Sequence, residues 1–271
     1  MLEKRGTRLT DWRKAKEMEV LNWKQRIYNS YMSNGFQDSH SMNKEFELHS
    51  KYFKKNYLKF MPKDKSCKIL ELGCGMGQFF SFCKDNGYLA YEGIDTSYEN
   101  INFIKTTFGE NSNVFVADIM AFLTSKNTQN LTNSDVQGYD VVIFNDVIEH
   151  LTKPEIFEVL DGVHNVLNKN GVFMIKTPNM ANPYVNTAGR YIDFTHEIGF
   201  TEKSMRQILR ATGYRDIEII GTDVYVLNPI ISIIAKIISK IVNLFLYLFS
   251  ALYGRTSLKI FEKDILAVAK K

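Results

Sequence analysis

An apolar run that ends in three alternating glycines constrains the fold of this chain most. Residues 68–72 read Lys-Ile-Leu-Glu-Leu, and glycines follow at positions 73, 75 and 77. Such a run is typical of a buried parallel strand, and the glycines let a turn approach a ligand without interfering Cβ atoms. Residues 78–86 can form a helix whose first amides face an anionic group. The stretch predicts a nucleotide-like cofactor site, and the alternative is a glycine-rich turn without a ligand.

The rest of the chain alternates short apolar runs with helical segments from residue 67 onward. This alternation predicts an α/β fold with a parallel sheet covered on both faces. The predicted strands are 67–73, 90–95, 113–117, 139–145, 171–176, 216–226 and 264–269. The predicted helices are 77–86, 97–108, 154–168 and 202–212, and the polar residues 125–137 predict a surface loop.

The N-terminal segment differs from the remainder in composition. Residues 1–62 are polar, rich in aromatic residues and helical in tendency, with no strand pattern. We interpret them as an N-terminal helical cap on a main domain of residues 63–271. The cap could close over a bound cofactor or cover a sheet edge.

Composition excludes several classes of protein. A length of 271 residues, with 45% hydrophobic and 24% charged residues, suits one globular α/β domain with additions. The net charge of +4 is mild, and no basic run is interleaved with aromatics, so no nucleic-acid partner is expected. Three scattered cysteines predict neither a disulfide framework nor a metal site. Residues 1–20 lack the apolar core of a secretory signal, which predicts a cytoplasmic protein.

Acidic and polar residues follow the next three predicted strands, at the sheet edge where open α/β sheets bind ligands. Asp95 comes about twenty residues after the glycines, a spacing that suits a carboxylate on ribose hydroxyls. It could instead cap the following helix. Asp118 likewise either contacts the ligand or caps a helix. Asn145 and Asp146 end the fourth strand, where buried polar groups are costly unless they are used.

The glycine pattern, with Glu71 two residues ahead of Gly73, resembles motif I of the class I S-adenosyl-L-methionine (SAM) methyltransferases. Segments 113–119, 140–150 and 169–179 follow in the order of that class. The resemblance covers about residues 65–227 and 263–270. It implies a Rossmann-like seven-stranded sheet with an antiparallel final hairpin, and SAM as cofactor. The implied cofactor-binding residues are Glu71, Gly73, Gly75, Met76, Gly77, Gln78, Asp95, Thr96, Asp118, Ile119, Asn145 and Asp146.

A narrower resemblance lies in residues 182–201, which carry Asp193-Phe-Thr-His196 shortly before Phe-Thr. This segment is similar to bacterial methyltransferases that modify O-antigen and capsular polysaccharides. The resemblance implies an acceptor that is a surface-glycan precursor, methylated at a sugar hydroxyl or at a phosphate or phosphoramidate group. Two alternatives remain: a small metabolite such as a quinone precursor as acceptor, and a non-catalytic scaffold.

Two histidines are candidates for catalysis, because a sugar hydroxyl must lose its proton as it attacks. His150 follows the fourth strand, and His196 lies in a predicted acceptor loop of residues 179–201. Asp193 could orient His196 if the loop curls back, and we predict that Arg190, Tyr191 and Asp193 contact the acceptor. The alternative is that both histidines are structural. An ionised phosphate acceptor would need no base.

A hydrophobic insertion, residues 228–257, precedes the last predicted strand and is most apolar over 228–254. It is long enough to raise the question of a membrane span. Its polar residues form one narrow helical stripe: Ser232, Lys236, Lys240, Asn243, Tyr247 and Ser250. We therefore predict an amphipathic helix, or a pair. Its apolar face could lie in the inner-membrane interface, pack on the core or form a homodimer.

Overall fold

The computed structural model describes residues 23–24, 27–28, 42–132, 138–183, 185–222, 228–254 and 258–271. Seven strands form one sheet of order β3-β2-β1-β4-β5-β7-β6. They are β1 Ile69–Leu72, β2 Tyr91–Asp95, β3 Val114–Val116, β4 Tyr139–Asn145, β5 Leu167–Pro178, β6 Arg215–Gly221 and β7 Asp264–Lys270. Strand β7 runs antiparallel to β5 and β6, and the other neighbouring strands pair in parallel. The predicted Rossmann-like seven-stranded fold is confirmed.

Helices cover both faces of this sheet. They are α1 Met42–Asn56, α2 Gln78–Asp85, α3 Tyr98–Phe108, α4 Ile119–Thr132, α5 Lys153–Val166, α6 Glu202–Ala211 and α7 Pro229–Leu252. Short 3-10 helices span Leu58–Phe60 and Ile148–His150, and a π-helix spans Val185–Gly189.

The prediction of a surface loop over 125–137 is wrong for its first part, because α4 runs through to Thr132. Residues 125–132 contain neither glycine nor proline, the two residues that most strongly break a helix. The weak helix propensity of their polar side chains is not enough to end the helix. Residues 133–137 lie outside the described part. The sixth strand ends at Gly221, and residues 223–227 of its predicted extent are also outside it.

Each face of the sheet has its own apolar core. Residues of α4, α5 and α6 pack on one face around Leu160 and Phe173. Residues of α1, α2 and α3 pack on the other, where the rings of Phe53 and Phe79 have centroids 5.0 Å apart. Helix α1, the described helix of the predicted cap, is therefore an integral part of the second core. It lies beside the glycine turn.

Helix α7 has its apolar face turned away from the protein. Of its 24 residues, Ser232 is the one that is buried, whereas Ile241 and Phe245 are each 63% exposed. Its most apolar 18 residues have a mean hydropathy of 1.9, and the helix is long enough to cross a membrane. Packing of the apolar face on the core, one of the three predicted arrangements, is therefore wrong.

Candidate active site

A pocket of about 480 Å³ opens at the carboxyl ends of β1, β2 and β4. This volume lies within the range of roughly 300–1,000 Å³ that is usual for small-molecule sites. Most of the predicted cofactor residues line it: Glu71, Gly73, Gly75, Met76, Gln78, Asp95, Thr96, Asp118, Ile119, Asn145 and Asp146. Gly77 instead precedes α2 with φ 82°, where a Cβ would lie 3.0 Å from Ile104 Cγ1. It sets the direction of the helix.

The turn after β1 requires glycine. Gly73 has φ 77°, and a Cβ at this position would lie 2.5 Å from Val147 Cγ2. Gly75 has φ 51°, and its N–H donates to Asp95 Oδ2 at 2.9 Å. Both conformations favour glycine. The turn is thus tied to the end of β2, and its backbone is open to the pocket.

Asp95 lines the pocket and organises the end of β2. Its Oδ1 accepts from Ser97 N at 2.8 Å and from Asn100 Nδ2 at 3.3 Å. Burial raises the pKa of Asp95, and the hydrogen bonds from the Ser97 and Gly75 amides and from Asn100 oppose that rise. Because a carboxylate has about four acceptor positions, capacity remains for a ligand hydroxyl. Ser97, rather than Asp95, is the N-cap of α3.

Asp118 lies at the start of α4, at the rim of the same pocket. Its Oδ1 accepts from Ala121 N at 3.0 Å, so it caps the helix, as one interpretation of the sequence expected. It also lines the pocket together with Ile119 and Met120. The two interpretations are therefore compatible. Met120 was not predicted, although it follows Ile119 directly in the chain.

Glu71 is buried below the glycine turn. Burial raises its pKa to about 8, while the Tyr91 hydroxyl, which donates to Oε2, and the Asn145 side chain act in the opposite direction. Asn145 Oδ1 accepts from the Tyr57 hydroxyl at 2.6 Å. Its Nδ2 is buried and has no hydrogen bond of standard geometry among the described residues, although it lies near enough to Glu71 to act on that carboxyl. Because this contact falls short of a full hydrogen bond, the amide can still donate to a ligand oxygen.

We expect Glu71 to make stability depend on pH. Between its ordinary pKa of 4.5 and about 8, the folded protein keeps a proton that the unfolded chain has lost. The free energy of unfolding should therefore fall as pH rises across this window, by up to about 1.4 kcal/mol per pH unit. In Glu71→Gln this contribution should vanish. Urea unfolding at several pH values between 5 and 8 measures it, with Glu110→Gln as control. Equal slopes in Glu71→Gln and the wild type would contradict the assignment.

Asp146 and Lys176 form an ion pair at the carboxyl ends of β4 and β5. Burial lowers the pKa of Lys176, but the nearby carboxylates of Asp146 and Asp264 outweigh it and raise the pKa well above its ordinary value. Lys176 therefore stays charged in the pocket wall. The sequence offered no signal for it, because its pairing joins two strands about 30 residues apart.

His196, which does not itself line the pocket, packs against His150, with ring centroids 4.7 Å apart. His150 lines the pocket, and its Nδ1 lies 2.6 Å from Thr195 Oγ1. The Thr195 hydroxyl donates to Asp193 Oδ1 at 2.7 Å. Since that proton is committed to the carboxylate, the network assigns the His150 proton to Nδ1 and leaves Nε2 as an acceptor.

His150 is held neutral at physiological pH. Burial, together with the neighbouring His196, lowers its pKa to about 4, although Asp193 acts in the opposite direction. Its imidazole therefore remains uncharged above about pH 5. A neutral, oriented imidazole can accept a hydrogen bond from an acceptor hydroxyl or ligate a cation.

The hydrogen bonds of the acceptor loop give two of its residues roles that were not predicted. Asp193 is buried and its carboxylate accepts from the Thr195 amide and hydroxyl, so it orients His150 through Thr195. The Arg190 guanidinium donates to the carbonyls of His196 and Glu197, which fixes the loop from within. Tyr191 is 79% exposed. Thr195 was missed as a functional residue, although it belongs to the Asp-x-Thr-His segment.

A third potential ligand lies beside the two histidines. One donor atom each from Glu149, His150 and His196 lie within 4.8 Å of one another. Glu149 is 3% exposed, and its Oε2 accepts from Thr177 Oγ1 at 3.1 Å. Sequence analysis predicted no metal site, because no spacing motif links residues 149 and 150 to residue 196.

A sequence model described as a methyltransferase domain matches residues 45–219, which is most of the fold around this pocket. The chain therefore belongs to the methyltransferase-domain family. It is a SAM-dependent methyltransferase by class, with SAM as cofactor. The glycine turn, the remaining acceptor capacity of Asp95 and the Asn145 amide in the pocket wall fit that cofactor.

Among curated proteins, the carboxy-S-adenosyl-L-methionine synthase of Campylobacter concisus (strain 13826) is 25% identical over 156 residues. The match covers 56% of this chain and 61% of that protein, which is less than two thirds of its length.

Solved structures share the fold. A SAM-dependent methyltransferase from Archaeoglobus fulgidus has a TM-score of 0.59 and 21% identity, over 86% of this chain and 100% of that chain. Magnesium protoporphyrin IX methyltransferase from Synechocystis PCC 6803, solved with bound SAH, has a TM-score of 0.55 and 13% identity, over 92% and 99%.

Proposed function

We propose that this chain is an O-methyltransferase that uses SAM to methylate a bacterial surface-glycan precursor of the capsule or O-antigen type. The methylated atom is an oxygen of a sugar hydroxyl or of a phosphate or phosphoramidate group. One observation carries the proposal: the loop that resembles glycan methyltransferases brings His196 against His150 at the pocket. This places polar groups suited to an oxygen acceptor beside a SAM pocket.

The cofactor orientation follows from the strand ends. Asp95 would hold the ribose hydroxyls, and Asp118 with Ile119 the adenine. The glycine turn and the Asn145 amide would hold the amino acid end. When bound, SAM supplies an electrophilic methyl group on a sulfonium. The chain's own residues then have to position the acceptor oxygen and exclude water.

The histidine pair is proposed to act on the acceptor oxygen. His150 Nε2 has no proton in the network set by Asp193 and Thr195, so it can accept a hydrogen bond from an acceptor hydroxyl. Arg190 fixes the backbone of His196 beside it. A hydroxyl in this position would lie where its proton can be withdrawn as it attacks.

A small-metabolite acceptor is the second candidate, and the likeness to carboxy-S-adenosyl-L-methionine synthase favours it. Release of S-adenosylhomocysteine distinguishes the two. The purified protein would be given SAM with nucleotide sugars, capsule oligosaccharides, phosphate or phosphoramidate intermediates, and quinone precursors. We expect release with a glycan precursor. We also expect mass spectrometry to locate the methyl group on an oxygen of that precursor. Release with the metabolites alone would overturn the glycan proposal, and release with none would favour a scaffold.

We further propose that the enzyme works at the cytoplasmic face of the inner membrane and that α7 is its contact. The helix presents a broad apolar face that includes Ile234, Ile241 and Phe245, each at least half exposed. Lys236 and Lys240 lie on its polar stripe. An amphipathic helix of this kind lies in the headgroup region of a bilayer. Such a location suits a lipid-linked acceptor.

Vesicle flotation tests this contact. The wild type should float with anionic liposomes, and Ile241→Glu/Phe245→Glu should remain at the bottom, because two charges on the apolar face oppose insertion. Leu89→Glu/Phe157→Glu is the matched control, since both side chains are exposed elsewhere on the surface. A wild type that does not float and is dimeric in solution would show that a second copy covers the helix instead.

A further inference from the structure

We propose that Glu149, His150 and His196 bind a divalent transition-metal cation at the acceptor end of the pocket. This inference deepens the proposed function, on which its role for the acceptor rests. The cation would be one that accepts mixed nitrogen and oxygen ligands, such as Mn²⁺, Fe²⁺, Co²⁺ or Zn²⁺.

Three potential ligands lie close together. Their donor atoms lie within 4.8 Å of one another. Ligand bonds of about 2.0–2.2 Å place the donors of one cation roughly 3–3.5 Å apart. Donors at the upper limit of 4.8 Å would have to approach by roughly 1.3–1.8 Å, which side-chain rotation of the half-buried His196 can supply.

The residues behind the ligands hold them in the required orientation. The Nδ1–H of His150 is directed to Thr195, which in turn donates to Asp193, so the Nε2 of His150 is left for the cation. Metal-bound histidines commonly donate their second N–H to an acceptor backed by a carboxylate in this way. The Thr177 hydroxyl donates a hydrogen bond to Glu149 Oε2, which fixes the orientation of that carboxyl group. These contacts would serve little purpose for histidines that merely fill space.

A cation would suit the ionised form of Glu149. Glu149 is buried, and the ionised carboxylate that ligates a metal needs a positive charge close beside it. Lys176 acts on Glu149 electrostatically, but both neighbouring lysines make their closest contacts with other groups. Lys176 pairs with Asp146, and Lys24 Nζ lies 3.3 Å from Glu197 Oε1 and 2.9 Å from the His150 carbonyl. A cation between Glu149 and the histidines would supply the missing charge.

The ligand set identifies the class of metal and its use. Two imidazoles and one carboxylate suit first-row transition metals with open coordination positions, whereas Mg²⁺ and Ca²⁺ prefer oxygen alone. Because His150 lines the pocket, the open positions would face it. An acceptor oxygen bound there would lose its proton more readily, since the cation lowers its pKa. With the cation bound, the histidines would act on the acceptor through the metal, in place of the direct hydrogen bond to His150 Nε2.

Metal binding to the full-length protein tests the site. After chelator treatment, the protein would be titrated with Co²⁺, followed by visible absorption, and with Mn²⁺ or Zn²⁺ by calorimetry. We expect one cation per chain, and an affinity lowered at least about tenfold in His196→Ala and Glu149→Gln. His164→Ala, a histidine outside the pocket, should bind as the wild type does. An unchanged affinity in His196→Ala, or no binding by the wild type, would overturn the site.

Separate readouts distinguish this inference from the proposed function. Co²⁺ binding that depends on His196, combined with no methyl transfer to any glycan, would keep the metal site and overturn the acceptor. Methyl transfer to a glycan precursor that is equally fast before and after chelation would keep the proposed function and overturn the cation's role.

Discussion

Replacing His196 with alanine should lower the rate of methyl transfer by about 10²- to 10⁴-fold, the range typical for losing a group that handles the acceptor's proton. His196 is not among the residues that line the described pocket, and its ring packs against that of His150, which does line it. The variant should therefore leave the affinity for SAM nearly unchanged. The loss should appear in kcat for the acceptor, whether the imidazole takes a proton or ligates a cation.

Steady-state kinetics with the acceptor and calorimetry with S-adenosylhomocysteine separate these effects. The matched control is His164→Ala. His164 lies on α5 and packs against Tyr214, and it is not among the residues that line the pocket. Above about pH 5, the pH dependence of wild-type activity should show no transition caused by titration of His150, because its pKa is lowered to about 4. Normal turnover of the true acceptor by His196→Ala would show that His196 takes no part in catalysis.

Replacing Asp95 with alanine should have the largest effect on cofactor affinity. The variant loses the proposed acceptor for the ribose hydroxyls and also the carboxylate that holds Gly75 N and Ser97 N. A hydrogen bond to a charged group contributes about 1.5–3 kcal/mol, which corresponds to roughly ten- to a hundredfold in affinity. The loosened glycine turn should add to this loss.

Calorimetry with SAM measures the change in affinity. Asp216→Ala serves as the control, because Asp216 is an exposed acid at the start of β6 that pairs with Lys270. Asp95→Asn should bind better than Asp95→Ala, since an amide oxygen can still accept from the Gly75 amide. A folded Asp95→Ala protein with wild-type affinity would refute the ribose role.

The sheet and the pocket could be predicted because their signals are local. An apolar run, a glycine turn and an acid after the next strand are each readable within a few residues, and the ends of parallel strands meet at one edge. The first part of the predicted loop 125–137 was wrong for a related reason. Polar residues such as Asn127 were interpreted as a loop, although nothing in residues 125–132 ends a helix.

Contacts between distant segments could not be predicted. From the sequence, Asp193 could orient its neighbour His196, whereas in the structure its carboxylate reaches His150 through Thr195. The charged Lys176 and the pairing of Tyr57 with Asn145 likewise depend on how strands and helices assemble. The periodicity of α7 predicted one polar stripe but could not tell which face is turned outward. That direction is a property of the assembled fold.

A crystal structure with bound S-adenosylhomocysteine tests the central claim most directly. We predict that the ribose hydroxyls contact Asp95 and that the adenine contacts Asp118 and Ile119. We also predict that the sulfur faces the side of the pocket where His150 and His196 lie. A ligand bound with its sulfur turned away from both histidines would contradict it.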